Sequence, residues 1–201
     1  MPKETSMGLE TNLPKTGQMK YTKGMYIKNL VLHSITGEII RVPSHEKLTH
    51  LQFRRFAGCP VCNLHLQNFA KHHLKLKEAG ILEIVIFHST QKELLKYASN
   101  LPFHVIADPQ KKLYKAWGVK SSLRSVLSIS AIVPIFRSVG NSLLQFLRGN
   151  QALPPLRPKG GSLGLPADFL IATDGRMVDC KYGRHADDHW SIDELLQRTN
   201  Q

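Results

Sequence analysis

Cys59-Pro60-Val61-Cys62 is the stretch of this chain whose residue types and spacing can do chemistry. Two cysteines separated by two residues fall within one helical turn. They can close a small disulfide and reopen it, which makes a two-electron switch. The thiolate is the nucleophile in such exchange. A helix first turn favours it, because the unpaired N–H groups there carry partial positive charge. Pro60 suits the first helical position, where its missing N–H costs nothing. The bare spacing has two other readings: half of a zinc site, or a pair of small packed residues.

The neighbouring elements favour the redox reading. His50-Leu51-Gln52-Phe53 reads as a buried strand feeding the cysteine turn, and the run from Cys62 to Ala79 reads as an amphipathic helix stopped by Gly80. Ile81 to Phe87 is nearly continuous and apolar, as expected of a central parallel strand. Thr90-Gln91-Lys92-Glu93 is a capping box that opens a helix through Ala98. Phe103 to Ala107 reads as a strand closed by Asp108-Pro109, and Lys111 to Trp117 as a short helix ended by Gly118. This alternation of strand and helix argues for a parallel sheet with helices against its faces.

The ends of the chain add to this frame. Residues 1–20 read as a loose arm, and Met25–Leu32 and Glu38–Val42 as two strands joined through Ser34-Ile35-Thr36-Gly37. Ile135, Val139, Leu143 and Leu147 recur every four residues, so a helical insertion is expected over about 121–165. Its apolar face can serve a homodimer, and residues 121–166 carry Arg124, Arg137, Arg148, Arg157 and Lys159 without one acid. Ala167 to Ala172 and Met177 to Tyr182 form a β-hairpin around Thr173-Asp174-Gly175-Arg176. Ser191-Ile192-Asp193-Glu194 is a second capping box, opening a terminal helix from Ile192 to Arg198. Residues 21–201 are read as one domain.

Composition narrows the classes of function. The 201 residues carry a formal net charge of +12, yet only 7% are aromatic and no nucleic-acid motif appears, so nucleic acid is not the expected partner. No apolar run is long enough to span a bilayer, and the first residues lack the pattern of a secretory signal. Three cysteines do not make a secreted disulfide framework. A soluble cytoplasmic protein follows as the expectation, and there a Cys-x-x-Cys is catalytic or metal-binding more often than structural.

The ordered set resembles a known family. Phe53 to Cys62, followed by Leu165-Pro166-Ala167-Asp168-Phe169-Leu170-Ile171 and Asp174-Gly175, is similar to the peroxiredoxin-like branch of the AhpC/TSA superfamily over roughly residues 26–199. The resemblance implies a thioredoxin-like α/β fold: a central mixed β-sheet flanked by helices, with an N-terminal β-hairpin and the helical insertion before the C-terminal one. It implies that Cys59 is the attacking thiol and Cys62 the resolving one. Pro60 and Pro166 would support the site, Pro166 as a cis proline against the cysteine pair. The implied activity is that of an antioxidant oxidoreductase, reducing peroxide or exchanging disulfides. An external thioredoxin-, glutaredoxin- or glutathione-like thiol would recycle it, and no cofactor or metal would be needed. Peroxiredoxins typically place a Thr or Ser three residues before the attacking cysteine; Phe56 stands there in this chain. Arg124 is the nearest candidate by order for the arginine that completes such a site, and Arg54 and Arg55 precede the turn; the plain reading of all three is surface charge.

Two readings compete with this one. A zinc module would join Cys59 and Cys62 to Cys180, His185 and His189. A non-catalytic interaction protein would keep the fold and use the basic insertion for a partner. His65, just beyond the pair, is either an ordinary polar residue or one that tunes the thiols.

Overall fold

The alternating strand and helix patterns of the sequence become two sheets in the computed structural model, which describes residues 20–119 and 164–199. A hairpin of β1 (Leu30–His33) and β2 (Ile39–Val42) precedes the main sheet. That sheet has five strands: β3 (Leu48–Arg54), β4 (Ile81–Phe87), β5 (His104–Ala107), β6 (Ala167–Ile171) and β7 (Met177–Tyr182). Their spatial order is β5-β4-β3-β6-β7. The β3–β4 and β4–β5 pairs are parallel, while β3–β6 and β6–β7 are antiparallel, so the sheet is mixed. The helices are α1 (Pro60–Lys71), α2 (His73–Glu78), α3 (Gln91–Tyr97), α4 (Lys112–Ala116) and α5 (Ile192–Arg198). Among the described residues no helix is long and apolar enough to cross a membrane.

Side chains alternate between the two faces of each strand, so the sheet has two cores. Leu51, Phe53, Ile84, Ile86 and Phe169 pack beneath the β1–β2 hairpin and α4. Phe53 lies edge-on to both Tyr114 and Phe169, at 5.0 and 5.6 Å between ring centres. On the other face, Val85, Phe87 and Val105 meet α1 and α3, and Leu170 meets α1, α2 and α5. Both expected capping boxes are formed, Thr90 with Glu93 and Ser191 with Glu194.

Three sequence expectations change. Residues 25–29 do not extend β1: Ile27 N–H donates to Gly175 O and Met177 N–H to Met25 O, so this segment is held by the β6–β7 turn instead. The helix expected from Cys62 to Ala79 breaks at His72. Its ring Nδ1 lies 2.9 Å from the Asn68 carbonyl, competing for the acceptor the helix ladder would use. Arg54 and Arg55 are not surface residues, being 0% and 6% exposed. The arm before residue 20 and the insertion between 120 and 163 lie outside the described residues.

The α1 face of the sheet also carries a buried polar layer. His50, Gln52 and Arg54 alternate along β3, with Glu83 opposite His50 on β4 and Asp168 opposite Gln52 on β6. His50 Nδ1 is 2.9 Å from Glu83 and its Nε2 3.3 Å from Asp168. Gln52 donates to Glu83, and Arg54 donates to Gln52 Oε1 and to Asp168 at 2.5 Å. Charges removed from water need such partners, because each lone one would cost several kcal/mol, of order 3–5. Burial opposes the His50 cation, but Glu83 and Asp168 outweigh it and push its pKa up from 6.5 to about 9. Burial likewise opposes the Asp168 carboxylate, yet Arg54 and His50 hold it far below the ordinary range.

Two outcomes follow from this layer. Asp168→Asn leaves Arg54 and His50 without their shared anion and lowers the urea unfolding free energy by about 3–5 kcal/mol. The raised His50 pKa contributes stability that is complete below about 6.5 and is lost as pH rises through 9. The difference in melting temperature between the parent and His50→Gln therefore shrinks over that alkaline interval; other groups titrating there cancel in the comparison.

Candidate functional site

The cysteines sit where β3 hands over to α1. His88 N–H donates to Arg55 O at 3.1 Å, carrying the β3–β4 ladder one step beyond the strands. Ala57 N–H then donates to the buried Ser89 Oγ at 2.9 Å, which hangs the turn on the end of β4. Cys59 N–H donates to Phe56 O at 3.1 Å. Gly58 has φ +77°, a left-handed conformation that side chains resist, so a glycine precedes Cys59 for a backbone reason. Cys59 is the extended N-cap residue of α1, with Pro60 at the start of the helix and Cys59 O accepting from Asn63 N–H at 2.8 Å.

Both cysteines are free thiols and only 2% exposed. They differ sharply in proton affinity. A hydrogen bond from the Cys62 thiol lowers the Cys59 pKa to about 7 against the opposing effect of burial. The Arg55 charge and the N–H groups of Cys62 and Val61 act in the same direction as that bond. Cys62 is pushed well above its ordinary value by donating to Cys59, by burial and by the Cys59 charge. The first turn of α1 holds no acidic residue to compete for the helix N-terminus. The pair can thus supply one thiolate and one thiol near neutral pH.

Behind the pair, Arg54 Nη2 lies 3.0 Å from His65 Nε2. His65 stands one turn past Cys62, and this contact ties α1 to β3. Burial first, then the Arg54 charge, keeps His65 well below its ordinary pKa, so it is neutral and accepts from Arg54. The Tyr114 hydroxyl donates to the carbonyls of Arg54 and Ile86, fastening the ends of β3 and β4 from the opposite face. Ser89 and Tyr114 are not among the site residues expected from the sequence, and Arg54 and Arg55 enter that expectation only as arginines preceding the turn, with surface charge as their plain reading. Polar side chains in a strand that ends at a cysteine turn were the available signal for the two arginines.

Phe56 packs against Cys59, Val61 and Cys62 and brings no hydroxyl. Among the described residues the cis peptide bond is Val42–Pro43, so Pro166 is not a cis proline. Its carbonyl accepts from Gly183 N–H at 2.9 Å, and trans is the ordinary state of a peptide bond before proline. Arg124 lies outside the described residues. The zinc set is not assembled: no group of three or more His, Cys, Asp or Glu side chains among the described residues is placed to hold a metal. Cys180 donates to Tyr21 O at 3.2 Å, and the His189 ring lies against His65 with centres 3.7 Å apart.

A cavity of about 20 Å³ adjoins the thiols, walled by Phe87, Leu66 and the α3 end at Tyr97, Ala98 and Leu101. That is room for roughly one water-sized molecule.

Comparison with protein families places this geometry in context. The family model described as AhpC/TSA antioxidant enzyme matches residues 65–185, more than half of the chain. The chain belongs to this AhpC/TSA family. Thiol-based redox chemistry is the family's general activity, although the matched span begins beyond both cysteines. No curated protein sequence matches the chain. Solved structures share the fold at low identity. The peroxidoxin BcpB of Mycobacterium tuberculosis is 18% identical with a TM-score of 0.61, over 89% of this chain and 96% of that one. A putative thiol:disulfide interchange protein DsbE from Chlorobium tepidum is 17% identical with a TM-score of 0.55, over 88% and 97%. The reduced 2-Cys peroxiredoxin of Plasmodium vivax is 13% identical with a TM-score of 0.61, over 90% and 81%.

Arg55 is the AhpC/TSA chain's nearby fixed cation for the thiolate, which yields a direct test. Arg55→Gln moves the Cys59 titration, followed by ultraviolet thiolate absorbance, upward from about 7 toward 9.0, the ordinary thiol value.

Proposed function

We propose that the chain is a thiol-dependent peroxide reductase that works through a reversible Cys59–Cys62 disulfide. The observation that carries this reading is the placement of two free thiols within one turn at the open N-terminus of α1, Cys59 as the N-cap residue and Cys62 one turn along, an arrangement that lowers the Cys59 pKa and raises that of Cys62. The Cys59 thiolate attacks the distal peroxide oxygen; the O–O bond breaks, and the leaving alkoxide or hydroxide takes up a proton. Cys59 is left as a sulfenic acid. Cys62 then attacks that sulfur, loses its proton and expels water, which closes the disulfide. An external thioredoxin-, glutaredoxin- or glutathione-like thiol supplies the two electrons that reopen it.

The resolving step is intramolecular and confined to one helical turn, which favours it over overoxidation. Phe56 leaves no hydroxyl to orient the peroxide, so that task falls to Arg55 and the helix N–H groups. The small cavity beside the thiols favours a small oxidant over a bulky disulfide. Pro60, which starts the helix that presents both sulfurs, supports the site in this scheme. Pro166 joins it through the strand that carries Asp168.

Rapid mixing of reduced protein with hydrogen peroxide tests the proposal, with Cys59→Ser and Cys62→Ser as companions. The expected record is second-order loss of the Cys59 thiolate followed by a Cys59–Cys62 disulfide, with no reaction in Cys59→Ser and a persistent sulfenic acid in Cys62→Ser. Ready exchange with small disulfides but no reaction with peroxide would make the protein a thiol–disulfide oxidoreductase instead.

A further inference from the structure

The turn that presents Cys59 holds a buried donor that its own geometry cannot serve. Cys59 N–H closes back on Phe56 O at 3.1 Å, so Phe56-Ala57-Gly58-Cys59 is a four-residue turn. Gly58, with φ +77°, supplies the positive angle that a type II turn requires at its third position. The bond that closes such a turn uses the N–H of the fourth residue and leaves that of the second unpaired. Ala57 is the second residue and is buried, so its N–H needs an acceptor from elsewhere in the protein.

That acceptor is a side chain. Ser89 Oγ lies 2.9 Å from Ala57 N, and Ser89 is wholly buried just past the end of β4. One residue earlier, His88 N–H donates to Arg55 O. The two bonds run in opposite directions between the same segments, as in a parallel ladder, but a hydroxyl stands where the next carbonyl would be. A hydroxyl reaches out from its own backbone, so it holds the chain after the chain has left the strand.

The groups around the sulfurs depend on where this turn lies. Arg55 precedes it, with a charge that favours both thiolates and an N–H that bonds to the Cys62 sulfur. Cys59 ends it, and its sulfur takes hydrogen bonds from the N–H groups of Val61 and Cys62. Such bonds weaken steeply with misalignment.

We propose that Ser89 is a positioning residue for the attacking thiol: through the Ala57 N–H, its Oγ fixes the turn that sets Arg55 and the α1 N–H groups around Cys59. The inference rests on the proposed role of Cys59. Ser89 acts on the sulfur through the turn, not through the chemistry of the reaction.

Alkylation of Cys59 by iodoacetamide across a pH series, in the reduced full chain, tests this in Ser89→Ala. The half-rise moves from about 7 toward 9.0, and alkylation near pH 7 slows roughly fivefold. In strongly alkaline solution variant and parent react alike, which separates lost thiolate from lost access. Ser89→Thr keeps the hydroxyl and the parent profile. Ser34→Ala removes another buried hydroxyl, which accepts from Glu38 N–H in the β1–β2 turn, and leaves the profile unchanged. A parent-like profile in folded Ser89→Ala overturns the inference, as does an equal shift in Ser34→Ala, an alanine-like profile in folded Ser89→Thr, or slowing that persists in alkali. Rapid hydrogen exchange of the Ala57 amide in the parent overturns it without any variant. Absence of peroxide reaction in the parent overturns the peroxide reading alone, since alkylation involves no peroxide.

Discussion

The ion pair between Arg54 and Asp168 is the interaction on which the rest of the structure depends. It joins β3 to β6 in the middle of the sheet, wholly out of water. Through His65 the same guanidinium reaches α1, so strand and helix meet at a fixed distance and angle. Asp168 also accepts from the Trp190 backbone N–H, which brings in the segment leading to α5. A guanidinium suits this place because its several donors lie in a rigid plane and it does not lose its proton on burial.

What the pair holds in position is a charge problem of the same kind. A thiolate with 2% exposure is unfavourable unless fixed dipoles and charges replace its water. The turn after β3 solves this with Arg55, with the open end of α1 and with the Cys62 thiol, three contributions that converge on one sulfur. The arrangement is asymmetric by construction. The residue at the N-cap receives hydrogen bonds, and the residue one turn along donates one. Family membership and fold agree with a thiol oxidoreductase, and the asymmetry is this chain's own support for assigning the two sulfurs different roles.

Much of this was legible in the sequence, for identifiable reasons. Ile81–Phe87 is a strand because seven residues in a row suit a doubly covered parallel position, and both capping boxes read correctly because their side-chain to backbone bonds are local. The polar layer was not legible. His50, Gln52 and Arg54 alternate with Leu51 and Phe53, a pattern that ordinarily marks a solvent face. It is buried here only because α1 and the segment before α5 cover it, which is a tertiary fact. At the break the His72 ring Nδ1 and the His72 backbone N–H share the Asn68 carbonyl, a local geometry that apolar periodicity does not register. Val42–Pro43 rather than Leu165–Pro166 carries the cis bond, and nothing in the neighbouring residues distinguishes the two prolines.

The pH dependence of alkylation, resolved by residue, tests the central claim most directly. Reduced protein would be treated with iodoacetamide across a pH series and the modified cysteine located by mass spectrometry. The account predicts modification at Cys59 with a half-rise near pH 7, while Cys62 stays unmodified until far more alkaline conditions. Modification of Cys62 first, or a Cys59 half-rise at the ordinary thiol value, would contradict it.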